Sequence, residues 1–202
     1  MVIVAATRNK HKIVELEAIL APLGMKVITQ EEAGLGGVDV EEDGTSFEEN
    51  SMKKARTILS LCGQACIADD SGLEVDAIGG APGVYSARFA GVPGDGADAA
   101  NNSKLLGLLE GVPDSERTAR FVSVITLALP GGNIFSARGE CEGLIGRVGA
   151  GDNGFGYDPL FTPLGYEETF AQLPAETKNR ISHRAKALAG LKQALAAGWP
   201  DA

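Results

Sequence analysis

Histidine and cysteine are scarce in this chain of 202 residues, which has two of the first and three of the second. The cysteines are Cys62, Cys66 and Cys141, and their odd number fits reduced thiols better than a disulfide framework. With only His11 and His183 available, the composition disfavours a zinc site made of histidine and cysteine. Any bound metal should therefore be a hard, oxygen-liganded ion such as magnesium or manganese.

Long apolar runs, a signal-peptide pattern, repeats and low-complexity segments are also lacking. We therefore expect a cytoplasmic protein with no membrane partner. The 18 Lys and Arg residues are outnumbered by 27 Asp and Glu residues, and the net charge of −9 argues against a nucleic-acid polymer as partner. The length and the ordinary hydrophobic content of 44% predict a single domain over residues 1–202, with room for two lobes.

Positive charge is concentrated in two short segments, residues 7–12 and 178–186. Together they hold seven of the 18 basic residues: Arg8, Lys10, Lys12, Lys178, Arg180, Arg184 and Lys186. Two basic segments on an acidic protein indicate a small anionic ligand. The alternative for each segment is a solvated charged surface, and the sequence leaves it open.

The first basic segment lies between a predicted strand and a predicted helix. Residues 2–6 are apolar, and the helix is indicated by Ile13, Leu16, Ile19 and Leu20 at helical spacing. The free N–H groups and the dipole at a helix start favour phosphate, so the loop at 7–12 is a candidate anion site. It matches neither the Walker-A nor the dinucleotide motif. The alternative is a helix capped by Thr7 or Asn9 with exposed lysines.

Two adjacent carboxylates, Asp69 and Asp70, follow the apolar run at 65–68, which predicts a buried strand. We expect the chain to turn at Ser71 and Gly72. Because successive side chains of a strand point to opposite faces, the two aspartates should have different roles. With Glu74 and Asp76 nearby, the pattern favours a metal-assisted site. Simple turn chemistry is the alternative.

The rest of the chain predicts an α/β fold with a mixed sheet. Capping boxes at 45–49 begin a second helix whose Lys53, Lys54 and Arg56 should form the solvated side. Runs at 121–129 and 134–141 predict a hairpin, and the glycine-rich segment at 143–156 predicts a shaped loop. A final helix is expected after Pro174.

Six motifs together resemble the inosine triphosphate pyrophosphatase family. They are T-R-N-K-H-K, F-E-E-N, A-D-D-S-G-L, G-A-P-G-V-Y-S-A-R, F-G-Y-D and S-H-R, which extend from residue 4 to about residue 188 in the order of the family. The resemblance implies a two-lobed α/β domain with a central mixed sheet flanked by helices and a cleft between the lobes. It also implies a homodimer, a Mg²⁺ cofactor, and hydrolysis of ITP, dITP and XTP to the monophosphate and pyrophosphate.

The same resemblance assigns roles to residues. Asp70 matches the catalytic base and a magnesium-associated carboxylate, Ser71 a substrate contact, and Glu42 a second metal-associated acid, with Glu41 as the alternative. The phosphate loop corresponds to Thr7, Arg8, Asn9, Lys10, His11 and Lys12. The remaining nucleotide-binding positions are Phe155, Gly156, Tyr157, Asp158, Lys178, His183 and Arg184. The family often has glycine where this chain has Arg8.

Chemistry at the level of residues agrees with these assignments. Lysines and helix N–H groups would hold the triphosphate, while Phe155 offers a stacking face for a purine. Arg184, with His183, is expected to select the base through the carbonyl at C6. A nucleotide-binding sensor that does not cleave its ligand, and a phosphotransferase, are the competing functions.

Overall fold

A mixed sheet of six strands forms the centre of the fold. In the computed structural model, which describes residues 1–198, the strands are β1 (Val2–Ala5), β2 (Lys26–Ile28), β3 (Cys66–Val75), β4 (Thr118–Ala128), β5 (Ile134–Ile145) and β6 (Phe161–Pro163). Their order in the sheet is β2-β1-β3-β4-β5-β6. β1 pairs in parallel with both β2 and β3, whereas β5 and β6 are antiparallel. The predicted α/β class with a mixed sheet is confirmed.

Five α-helices accompany the sheet in the described part of the chain: α1 (Lys10–Leu20), α2 (Phe47–Cys62), α3 (Ala97–Leu108), α4 (Ala175–Ile181) and α5 (His183–Gly198). The hydroxyl of Ser46 caps α2 by accepting from the Glu49 N–H, as the sequence predicts. Glu49 completes the cap one residue earlier than the standard box, because its carboxylate accepts from the N–H and the hydroxyl of Thr45. No described helix is long and apolar enough to cross a bilayer.

The chain divides into two compact units. Among the described residues, the first comprises 1–70, 123–139 and 184–198, and the second comprises 71–122 and 140–183. Each unit has its own apolar core. In the first unit, buried side chains of α1 and α5 pack with β1, β3 and β4, represented by Leu16, Ile67 and Leu188. In the second, aromatic residues such as Phe161 and Phe170 pack with the α3 side chain of Leu105.

The hairpin predicted from residues 121–141 is confirmed with longer strands. β4 and β5 are neighbours in the sheet and are joined by residues 129–133, a connection too short for a parallel crossover. The Leu129 N–H donates to the Asn133 carbonyl and closes the turn. β5 continues to Ile145, so the glycine-rich segment is irregular only after that residue.

Two predicted boundaries are wrong. The chain does not turn at Ser71 and Gly72, because β3 continues through both residues to Val75. The single final helix is two helices, since Ser182 adopts an extended conformation (φ −66°, ψ 160°) between α4 and α5. Burial of both faces of the strand outweighs the turn preference of Asp, Ser and Gly, because every residue from Cys66 to Val75 is buried or half-buried.

Candidate active site

The basic loop at residues 7–12 leads from β1 into the first turn of α1. The Asn9 side chain caps the helix by accepting from the N–H groups of His11 and Lys12 at 3.0 and 3.3 Å. Thr7 Oγ1 accepts from the Asn9 N–H at 3.2 Å and fixes the approach to the cap. Lys10 and His11 are exposed. Asn9 therefore caps the helix, as the alternative interpretation of this loop predicts. Anion binding at the start of α1 stays a prediction.

Arg8 and Lys12 leave this loop in different ways. The Arg8 guanidinium is about half exposed and lies 2.6 Å from the Asp39 carboxylate at the surface. The Lys12 ammonium is mostly buried and lies 3.1 Å from Asp69 Oδ2 and 3.4 Å from the Asp69 carbonyl. Arg8, the bulky residue that departs from the family pattern, thus pairs with a surface acid, while Lys12 contacts the buried Asp69.

Asp69 is fully buried and binds several donors. Ser123 Oγ donates to its Oδ1 at 2.5 Å, and the Arg184 guanidinium contacts Oδ2 at 2.8 Å. Burial alone would raise the pKa of this carboxyl, but the charges of Arg184 and Lys12 and the Ser123 bond hold it well below its usual range. Asp69 is therefore a permanently ionised structural anion of the first unit.

Asp70 points away from those donors and contacts a different lysine. The Lys54 ammonium of α2 lies 2.9 Å from Asp70 Oδ1, 2.7 Å from Glu42 Oε1 and 2.9 Å from the Asp69 carbonyl. Because β3 is extended here, the two aspartates do face opposite sides, as the sequence predicts. Glu42 is half-buried and Glu41 is exposed, so Glu42 is the acid placed beside Asp70.

Burial controls the ionisation of this second cluster. It raises the pKa of the Asp70 carboxyl, and the charges of Lys54 and Lys12 oppose this shift without cancelling it. Burial would lower the pKa of Lys54, but its attraction to Asp70 and Glu42 outweighs that effect and raises the pKa. The result is a lysine that stays charged beside a carboxyl with a raised affinity for protons.

The donor set around Asp70 fits a hard cation. Among residues 1–198, Asp70 Oδ2 is a buried oxygen with no hydrogen-bond partner, which is a costly state unless a ligand satisfies it. Asp70 and Glu42 offer carboxylate oxygens, the ligands that magnesium prefers. The described residues contain no ready-made group of three acidic, histidine or cysteine side chains that could hold a metal. Magnesium commonly takes only one or two protein carboxylates, so this finding does not oppose the fit.

The predicted nucleotide-binding segment Phe155–Gly156–Tyr157–Asp158 lies in the second unit. Asp158 Oδ2 accepts from the Phe155 N–H at 2.9 Å and from the buried Lys178 ammonium at 2.6 Å. The same ammonium lies 5.1 Å from the centroid of the half-buried Phe155 ring. Lys178 thus contacts the carboxylate and the aromatic ring of one segment. In the same segment, the Tyr157 hydroxyl donates to the Ser86 carbonyl at 2.9 Å.

Of the remaining predicted residues, Ser71 and His183 belong to the second unit and Arg184 to the first. Ser71 follows Asp70 in β3 and is half-buried, and the His183 ring is buried against Phe121 with a centroid distance of 4.9 Å. Arg184 belongs to the first unit and is also buried, with its guanidinium directed at Asp69 and at Glu15. Its role in base selection stays a prediction, and the structure adds a role in holding the buried Asp69 and the partly buried Glu15.

Sequence reasoning missed several residues that contact the predicted ones. The largest error concerns Lys54, which was expected on the solvated side of α2 and is buried instead. Lys53 is partly exposed and pairs with Asp43, and Arg56 is exposed as expected. The other missed contacts are Glu15, Asp98, Asn102 and Ser123. Only Lys54 carries a signal in the sequence, because it continues the buried spacing of its helix.

Comparisons with known proteins place the whole chain in one family. The model of the Ham1 family matches residues 3–194. A protein of Desulforamulus reducens named dITP/XTP pyrophosphatase is 56% identical over 188 residues, which cover 93% of this chain and 92% of the relative. A protein of Nocardia farcinica with the same name is 48% identical over 199 residues, covering 96% and 95%.

Solved structures agree with the sequence comparisons. The Ham1 protein of Staphylococcus aureus has a TM-score of 0.84 at 39% identity and covers 98% of this chain and 99% of its own. The dITP/XTP pyrophosphatase structure from Mycobacterium abscessus has a TM-score of 0.75 at 45% identity, with coverages of 95% and 98%. Both similarities extend over nearly the full length and confirm the resemblance inferred from the six motifs. The chain belongs to the Ham1 family.

Proposed function

We propose that the protein hydrolyses non-canonical purine nucleoside triphosphates, namely ITP, dITP and XTP, to the monophosphate and pyrophosphate. The observation that carries the proposal is the buried, unsatisfied Oδ2 of Asp70 beside the Lys54 ammonium, on a strand that the family motif A-D-D-S-G-L covers. The names of the full-length relatives supply the substrate class. These relatives are close enough to make the same reaction the first expectation for this chain.

Asp70 is the residue assigned to the chemical step. Burial raises the pKa of the Asp70 carboxyl, which makes it a better proton acceptor than an ordinary exposed carboxyl. Its unsatisfied oxygen is free to receive the proton of an attacking water. Lys54 fixes the other oxygen at 2.9 Å and holds the carboxyl in one orientation.

Phosphate binding is assigned to the first basic loop. The start of α1 presents the positive end of the helix dipole, and Lys12 adds a charge beside it. A triphosphate carries about four negative charges, so these groups would oppose its repulsion from the acidic residues. Phe155, held by Asp158 and Lys178, is assigned as the stacking surface for the purine.

Magnesium is proposed as the cofactor, and Asp70 and Glu42 are the residues that would hold it. When bound, the ion supplies charge neutralisation on the phosphate oxygens. Lys54 holds Oδ1 of Asp70, so Oδ2 is the oxygen that both assigned roles would use. A homodimer in the cytoplasm is proposed from the family resemblance.

The experiment that tests the proposal compares substrates with and without metal. Purified protein with Mg²⁺ should release pyrophosphate from ITP, dITP and XTP much faster than from ATP, and EDTA should abolish the release. Tight binding of ITP without any turnover would favour the nucleotide sensor instead. The carboxylates of Asp70 and Glu42 disfavour a sensor, because without a metal they would repel the phosphate groups of a bound nucleotide.

A further inference from the structure

The two main-chain polar groups of Gly156 are held by two side chains of α3. Asp98 Oδ2 accepts from the Gly156 N–H at 2.7 Å, and Asn102 Nδ2 donates to the Gly156 carbonyl at 2.9 Å. The two residues are four positions apart, so they lie on the same face of the helix. We call this pair of hydrogen bonds the Gly156 clamp.

The clamp holds the residue that follows the proposed stacking ring. Gly156 has φ +62°, a left-handed conformation that favours glycine, so the chain reverses sharply directly after Phe155. The Phe155 N–H is fixed on its other side by Asp158. With the peptides on both sides bound, the backbone of Phe155 has little freedom, and so the direction of its Cα–Cβ bond is set.

The helix that provides the clamp is itself fixed to the same unit. Asn101 of α3 is buried; it accepts from the Ala90 N–H at 2.7 Å and donates to the carbonyls of Ser86 and Ala87. Tyr157 donates to the same Ser86 carbonyl. The support of the loop is thus a closed network in which α3 is the rigid element.

We propose that Asp98 and Asn102 are positioning residues that orient the Phe155 ring for the purine base. The inference rests on the proposed function, since it needs Phe155 to contact the base. Asp98 is exposed and acidic, and its carboxylate binds the main chain of Gly156 directly after Phe155. The Asp98 carboxylate accepts a hydrogen bond from the Gly156 N–H. A charged acceptor makes a stronger hydrogen bond than a neutral acceptor would.

The test separates base contacts from phosphate contacts. Asp98→Ala should lower kcat/KM for ITP by about tenfold, the effect expected from losing one hydrogen bond, and chiefly through KM. Inhibition by tripolyphosphate, which has no base, should be unchanged. Asp98→Asn keeps an acceptor oxygen and should recover most of the loss. Asp95→Ala removes an exposed acid just before α3 and is the matched control.

A double-mutant cycle tests whether the clamp acts through the ring. In a Phe155→Ala background, Asp98→Ala and Asn102→Ala should cost almost nothing further, because the group they orient is gone. Equal losses in both backgrounds, or parallel losses for ITP and tripolyphosphate, would overturn the inference and leave the clamp a purely structural contact. Wild-type kinetics in Asp98→Ala would overturn it too.

Folding and the proposed function are controlled separately. Should Asp98→Ala unfold, the cycle is run with Asn102→Ala, which removes a single neutral donor on the other side of the same peptide. If the wild-type protein fails to hydrolyse ITP, the proposed function fails. If the wild type is active and the variants match it, only the clamp fails.

Discussion

Lys54 Nζ lies 2.9 Å from Asp70 Oδ1 and 2.7 Å from Glu42 Oε1, so one buried cation joins the two carboxylates assigned to catalysis and metal binding. The arrangement keeps Asp70 from taking up a proton too readily. Burial pushes the pKa of this carboxyl upward, and the Lys54 charge is the largest influence that opposes it.

Replacing Lys54 should therefore raise the pKa of Asp70 further. In Lys54→Met the chain retains a side chain of similar length but loses the charge. Asp70 then stays protonated to a higher pH, and its fraction available as a base falls at every pH near the pKa. An NMR titration of the Asp70 carboxyl in metal-free protein measures this directly, with Lys53→Met as the control, since Lys53 pairs with Asp43. An unchanged titration in Lys54→Met would contradict the assignment.

The position of Lys54 could have been predicted from the sequence. The buried residues of α2 are Phe47, Asn50, Ser51, Lys54, Ala55 and Ile58, an unbroken spacing of three and four residues. If only apolar residues are counted as buried, half of that face is found and Lys54 is wrongly placed in solvent. Lys54 is buried because Glu42, Asp70 and the main-chain carbonyl of Asp69 satisfy its ammonium group.

Substitutions of the two adjacent aspartates should have different effects, one on activity and the other on stability. Asp70→Asn should lower turnover by roughly 10²-fold or more, the usual scale for losing an acid–base group. Its Tm should stay at or above that of the wild type, because a carboxyl whose pKa is raised on folding costs stability once it is ionised. Asp69→Asn should lower the Tm, since it leaves the charges of Arg184 and Lys12 without their anion. The opposite pattern would reverse the two roles.

The pH dependence of stability gives a second view of Asp69. Its pKa is lowered on folding, so its contribution is present above the unfolded value of about 3.9 and is lost as the pH falls toward the folded value. The Tm difference between the wild type and Asp69→Asn should therefore shrink on acidification. Thermal unfolding between neutral and strongly acidic pH checks this. A difference that is constant over that range would show that the charge of Asp69 is not what stabilises the fold.

Arg184 requires a conservative substitution, because Arg184→Ala would leave Asp69 as a buried anion without its guanidinium partner. Losing one partner of such a group costs about 3–5 kcal/mol. Arg184→Lys keeps a positive charge but loses the planar guanidinium group with its paired donors. If Arg184 binds the C6 carbonyl of the base, this variant should lower the ratio of kcat/KM for ITP to kcat/KM for ATP. Phe155→Ala should weaken both substrates alike, since stacking does not distinguish purines. An unchanged ratio in Arg184→Lys would limit Arg184 to supporting Asp69.

The sequence predicted most elements but not the contacts that join distant segments. The strand at 2–5, the capped helix at 47 and the hairpin follow from local periodicity and turn chemistry, which act over a few residues. The prediction of a turn at Ser71 and Gly72 is wrong, because burial in the folded protein extends β3 through both residues. Neither the Asp69–Arg184 pair, 115 residues apart, nor the Asp98–Gly156 contact, 58 apart, has a local signature. Such pairs are determined by the fold as a whole.

The products formed from ITP test the central claim most directly. Cleavage between the α and β phosphates yields IMP and pyrophosphate in equal amounts, and chromatography of a reaction with Mg²⁺ resolves them from IDP and orthophosphate. We predict IMP with pyrophosphate as the main products, and their loss in Asp70→Asn. IDP with orthophosphate as the main products would contradict the account.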